Sequence, residues 1–116
     1  RQALENSVSE VELAEGRFLQ VSGVSFTYSI KKPVGERVQT ININGRTLEP
    51  KRKYSVSTSD YLANGGDGYD VFLDTQHRLE RNNQKPPLIT DVAIRMIQQQ
   101  KTILPKIEFR IKRVIE

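Results

Sequence analysis

Apolar and polar positions alternate strictly along Val24-Ser25-Phe26-Thr27-Tyr28-Ser29-Ile30. A period of two predicts a strand with Val24, Phe26, Tyr28 and Ile30 on one face. Val38 to Ile43 predicts a second strand, with Val38, Thr40 and Asn42 opposite Ile41 and Ile43. Asn44-Gly45 follows at once. That dipeptide accepts positive φ at both positions and forms the favoured two-residue hairpin turn, so a partner strand is expected from Arg46-Thr47-Leu48. Tyr54-Ser55-Val56-Ser57-Thr58 is rich in β-formers and reads as another strand, as does the alternating Ile107-Glu108-Phe109-Arg110-Ile111.

Two segments carry a helical signature. Residues 1 to about 9 read as a helix ending near Ser7-Val8-Ser9. Thr90 is the expected N-cap of a later helix, with Asp91 near the positive end of its dipole and Val92, Ala93, Met96 and Ile97 as an apolar stripe. Between these elements, Lys31 to Glu36, Glu49 to Arg52 and Arg78 to Pro87 are loops by their Pro, Gly and polar content. Strands dominate, hairpins are local, and helices do not alternate regularly with strands. The expected fold is α+β, a mixed or mainly antiparallel sheet with flanking helices.

The composition narrows the function classes. The chain has 116 residues, of which 36% are hydrophobic, enough for one core and too few for two domains. It has no cysteine, which excludes a disulfide scaffold and a thiolate metal site. No apolar run approaches the roughly 20 residues of a membrane-spanning helix. The opening Arg1-Gln2-Ala3-Leu4-Glu5 reads as the inside of a helix, not as a signal peptide. The net charge of +4 is dispersed over Lys31-Lys32, Lys51-Arg52-Lys53 and Arg110-Lys112-Arg113. That distribution reads as a solvated surface, and no nucleic acid is expected as a partner. The alternative is a stand-alone basic module for nucleic acid or phosphorylated ligands, whose binding would weaken steeply with salt. The single histidine, His77, lies in a polar stretch and reads as a surface residue.

The candidate chemistry lies in Tyr61-Leu62-Ala63-Asn64-Gly65-Gly66-Asp67-Gly68-Tyr69. Three glycines in four positions let the backbone take positive φ and let a ligand approach closely. Asp67 stands among them, its carboxylate presented with little steric cover. A carboxylate accepts hydroxyl hydrogen bonds, which suits a sugar diol, and repels phosphate. No Lys-Ser/Thr pair follows and the G-x-G-x-x-G spacing is absent, so the run is neither a P-loop nor a dinucleotide fingerprint. On physical grounds alone two readings stand: a tight turn with Asp67 bonded to nearby backbone, or a ligand loop flanked by aromatic plates. Tyr69 reads as core.

The same nine residues closely resemble the signature of the 5′-nucleotidase C-terminal domain, a family that includes UDP-sugar hydrolases, ecto-5′-nucleotidases, apyrases and 2′,3′-cyclic-nucleotide phosphodiesterases. Ala3 to Val8, Gly16 to Gly23, Pro33 to Val38, and Leu48-Glu49-Pro50 with Tyr54 match in order. Gly16 to Gly23 corresponds to a strand there. The resemblance implies that residues 1–116 are part of that nucleotide-binding domain. It implies Phe18 and Tyr61 as the two plates sandwiching a base, Asp67 as the ligand of the ribose hydroxyls, and Asn64, Gly65 and Gly66 as the loop around them. Phe is common at the position of Tyr61. A tyrosine still stacks, and its hydroxyl can tune which base fits. Arg17 and Arg37 have no phosphate-binding role in the family.

The resemblance also implies what lies elsewhere. Hydrolysis belongs to a two-metal centre in an N-terminal metallophosphoesterase domain absent from these residues. This chain is therefore expected to hold no metal and no catalytic residue, while the whole protein is a hydrolase of nucleotide phosphoesters, periplasmic, cell-surface or secreted.

Overall fold

The computed structural model describes residues 1–73 and 86–115. His77 and most of the loop expected from Arg78 to Pro87 lie outside the described residues. The described chain forms two units, residues 1–73 with 109–115, and residues 86–108.

The first unit is built on a four-stranded mixed sheet. Helix α1 (Gln2–Val8) precedes strands β1 (Val24–Tyr28), β2 (Val38–Ile43) and β3 (Arg46–Thr47), then the short helix α2 (Asp60–Ala63), and strand β4 (Ile111–Arg113) closes the unit. The spatial order is β3-β2-β1-β4. β1 pairs antiparallel with β2 and parallel with β4, with Phe26 opposite both Ile41 and Ile111. The α+β expectation holds in architecture, with the one parallel pair making the sheet mixed. The Asn44-Gly45 turn is also as expected, at φ 50° and 78°, and sets Ile43 opposite Arg46.

The core lies on the face of β1 that the alternation marked. Val8, Phe26, Tyr28, Val38 and Ile41 are buried, and Leu4, Phe18, Val21, Val24, Ile30 and Ile111 pack against them. β2 departs from the expected alternation: Val38 and Ile41 share the core face. The reason is a bulge, since Phe26 opposes Ile41 but Tyr28 opposes Val38. The extra residue on β2 flips the side-chain parity. Thr27 and Thr40 mark it by a hydroxyl–hydroxyl hydrogen bond of 2.8 Å, and the Thr40 amide donates to Thr27 Oγ1 at 3.2 Å.

α1 is fastened to β2 by Glu5. Its carboxylate is buried and accepts from the backbone amides of Arg37 at 2.9 Å and Val38 at 3.1 Å. Arg37 is buried too. Its guanidinium donates to the Val8 and Ser9 carbonyls and, bidentately at 2.7 Å, to the Glu12 carboxylate. That fork-to-fork pair holds the Glu12 carboxyl below its ordinary range.

Three expected strands are corrected. Residues 16–23 form no strand, because backbone groups from Arg17 to Val21 bond to side chains: the Leu19 amide to Ser7 Oγ, the Arg17 carbonyl to the Tyr69 hydroxyl, and the Val21 carbonyl to the Arg110 guanidinium. Residues 54–58 form no strand either. Tyr54 turns back on the preceding turn instead, its hydroxyl accepting from the Glu49 amide at 3.0 Å and its ring lying under Arg52. β propensity needs a neighbouring strand to act on, and Val56 is 70% exposed. The closing strand lies two to four residues later than its alternation suggested. Phe109 sits at φ 53°, which breaks the extended run, and pairing begins at Ile111.

In the second unit, helix α3 (Ile89–Gln100) appears where the stripe predicted, with Asp91 in its first turn. Its N-cap is Leu88 and not Thr90, which lies inside the first turn, and no side chain caps it. Val92, Met96 and Ile97 are all about half exposed.

Candidate nucleotide-recognition site

The glycine-rich run is a chain of tight turns. Ser59 caps α2, accepting from the Leu62 amide at 3.3 Å, and Asn64 ends that helix. Gly65 then takes φ 88°, Asp67 φ 52° and Gly68 φ 76°, three left-handed positions in four residues. Glycine meets that demand without strain, and Asp is among the few other residues that tolerate it.

Gly66 is required for a different reason. A Cβ there would lie 2.5 Å from Cζ and 2.6 Å from Cε1 of Tyr61. The Tyr61 ring therefore rests directly against the Gly66 backbone, closer than any side chain allows. The far end of the ring is held as well: the Tyr61 hydroxyl donates to Asp67 Oδ1 at 2.9 Å. This bond to a carboxylate favours the protonated phenol and raises its pKa from the ordinary tyrosine value. The ring remains 59% exposed, and Asp67 is exposed beside it. An aromatic plate and a carboxylate are thus fixed next to one another, both open to solvent.

The loop is anchored from below by Tyr69, which is fully buried, as its sequence position suggested. Its hydroxyl donates to the Arg17 carbonyl, and burial pushes its pKa up. Asn6 on α1 adds a second anchor, its amide donating to the Asp67 carbonyl at 3.0 Å.

The partners of Tyr69 and Ser7 flank Phe18. The carbonyl before it bonds to Tyr69, and the amide after it, on Leu19, donates to Ser7 Oγ at 2.8 Å. The Phe18 segment and the glycine loop are thus tied through one buried tyrosine. Phe18 itself is partly buried and meets Tyr28 edge-on at 6.3 Å. Among the described residues, the ring pairs are Phe18 with Tyr28, Phe26 with Tyr28, and Tyr69 with Phe72; Phe18 and Tyr61 are not in ring contact.

The other expected loop residues divide by role. Gly66 forms the bed of the Tyr61 ring. Gly65 faces away from it, toward Asp70 and Leu73. Asn64 is exposed at the C-terminus of α2, its amide bonded to the Asp60 carbonyl. Arg17 pairs with Glu10 at 3.0 Å and Arg37 with Glu12, so both guanidinium groups are engaged within the fold. Sequence reasoning missed Asn6 and Ser7 as supports of the site, since a helix that only packs on a sheet has the same pattern. Among the described residues no three His, Cys, Asp or Glu side chains are grouped to hold a metal ion, and no helix is long and apolar enough to cross a membrane.

Comparison with known proteins places the chain in a family. The family described as 5′-nucleotidase, C-terminal domain, matches residues 1–74, and the chain belongs to that family. It is 31% identical over 119 residues to the trifunctional nucleotide phosphoesterase protein YfkN of Bacillus subtilis, covering 98% of this chain and 8% of that protein. It is 30% identical over 120 residues to the 5′-nucleotidase of Homo sapiens, covering 97% of this chain and 20% of that protein. The crystal structure of a 5′-nucleotidase precursor from Thermus thermophilus superposes with a TM-score of 0.88 at 30% identity, over 99% of this chain and 23% of that one. The chain thus spans less than a third of the length of the relatives it matches.

Proposed function

We propose that this chain recognises the base and ribose of a nucleotide for a phosphoester hydrolase of the 5′-nucleotidase type. The observation that carries the reading is the fixed pair of Tyr61 and Asp67 on the Gly66 bed. A solvent-facing ring beside a carboxylate has the chemistry of a nucleoside: a π-face for the base and acceptors for hydroxyls. Phe18 supplies the second plate in this reading. Tyr69 supports that role by tying the Phe18 segment to the loop. Closing on a base requires the Phe18 and Tyr61 rings to present parallel faces to it.

Residues 1–116 serve in this reading as part of the substrate-binding domain, and hydrolysis takes place in a separate N-terminal metallophosphoesterase domain. That domain would carry the two divalent ions, so no chemical step is assigned to this chain. A snake venom 5′-nucleotidase of Macrovipera lebetinus, 28% identical, and the precursor form of the Thermus relative support a periplasmic, cell-surface or secreted setting.

The test is steady-state kinetics of the intact protein carrying Phe18→Ala or Tyr61→Ala. Each substitution is expected to raise KM for a nucleotide about tenfold or more, with a smaller change in kcat. A non-nucleotide phosphate ester should be hydrolysed as before. Equal losses on both substrates would refute stacking.

A further inference from the structure

We propose that the Tyr61 hydroxyl is a positioning group for the Asp67 carboxylate, coupling the base plate to the sugar clamp and setting the preference for ligands with a vicinal diol. The inference rests on the nucleoside reading above and assigns the phenol oxygen a role separate from that of the ring.

The geometry is specific. The hydroxyl donates to one carboxylate oxygen, Oδ1, at 2.9 Å. The ring that bears it lies where a Cβ on Gly66 would fall within 2.7 Å of Cδ1, Cε1 and Cζ, which leaves it little space to shift toward the loop. Asp67 is constrained from its other side as well. Its backbone is in the left-handed region at φ 52°, and its carbonyl accepts from Asn6. The remaining freedom is rotation of the side chain, and the Tyr61 bond removes it.

An ionised carboxylate has about four lone-pair directions on two oxygens. Tyr61 takes one. Enough remain for two hydroxyl donors on adjacent carbons, and the carboxylate is held before the ligand arrives. A phenylalanine would stack equally well but leave the carboxylate to rotate, so ordering it would be charged to ligand binding. That loss falls on ligands whose hydroxyls use Asp67. It does not fall on ligands held by the base alone.

Calorimetric titration of the intact protein and its Tyr61→Phe variant separates the possibilities. The probes are the tightest-binding of adenosine, guanosine, uridine and cytidine, and the 2′,3′-dideoxy counterpart of that nucleoside. The wild type is expected to prefer the ribonucleoside. Tyr61→Phe should weaken ribonucleoside binding about three- to tenfold while leaving dideoxynucleoside binding unchanged, so that the preference shrinks. A preserved preference in Tyr61→Phe would overturn the positioning role and leave the nucleoside site standing. Absence of any preference in the wild type would overturn the ribose clamp itself. Asp67→Asn gives an independent check: the ring-proton NMR signals of Tyr61 should titrate at lower pH than in wild type, and an unchanged midpoint counts against the coupling.

Discussion

The Tyr61 ring lies so close to the Gly66 backbone that a single added methyl group would meet its Cζ at 2.5 Å. Gly66 is not among the positive-φ glycines, so its requirement is one of space and not of torsion. Gly66→Ala is expected to displace the ring and break its bond to Asp67. Because Tyr61 is exposed, thermal stability should fall little, while nucleoside affinity falls about tenfold or more. Parallel melting and titration measurements check this, and a variant that melts much earlier would show the ring to be structural.

Tyr69 predicts the opposite balance. Its hydroxyl satisfies the Arg17 carbonyl from a fully buried position. Tyr69→Phe should cost about 1–3 kcal/mol in urea unfolding, the usual penalty for a buried polar group left unpaired. It should also raise KM for a nucleotide, since the Phe18 segment loses its tie to the loop.

Glu5 is the joint between helix α1 and strand β2, accepting from two backbone amides. Glu5→Ala leaves both amides without that acceptor and is expected to destabilise the protein by about 2–4 kcal/mol. Hydrogen exchange at Arg37 and Val38 should accelerate in the variant even below the unfolding transition.

The Glu12–Arg37 pair predicts a pH dependence. The hydrogen bond from Arg37 lowers the Glu12 pKa from its ordinary value of 4.5. A carboxyl lowered in the folded state contributes stability that is fully present above its unfolded value. That contribution is lost as pH falls through the folded one. The stability difference between wild type and Glu12→Gln should therefore be constant above about pH 5 and shrink below pH 4.5. Urea midpoints measured across that range decide it.

Local chemistry made part of this molecule legible in its sequence. The alternation of β1 found the core face because Phe26 and Tyr28 obey it, and Asn44-Gly45 found the hairpin because both residues accept positive φ. The bulge in β2 was not legible, since no residue type demands an extra position between Val38 and Ile41. The β-formers at 54–58 misled because propensity does not say whether a neighbouring strand exists. In the glycine loop, the open turn and the exposed Asp67 were readable from composition. The hydroxyl of Tyr61 reaching Asp67, and Tyr69 reaching Arg17, depend on how distant segments fold back, which spacing along the chain does not encode.

The parallel alignment of β4 beside β1 has a consequence for how this sequence tolerates change. Phe26 meets Ile111 across most of the chain's length, and the stretch between residues 73 and 109 leaves the first unit and returns to it, so its two ends are both held there. The entropy of closing such an excursion grows only logarithmically, about 0.6 kcal/mol for each doubling of its length. A change in the length of that stretch is expected to leave the sheet undisturbed. By contrast, one residue gained or lost between Gly65 and Tyr69 would separate the ring, the carboxylate and their anchor at once.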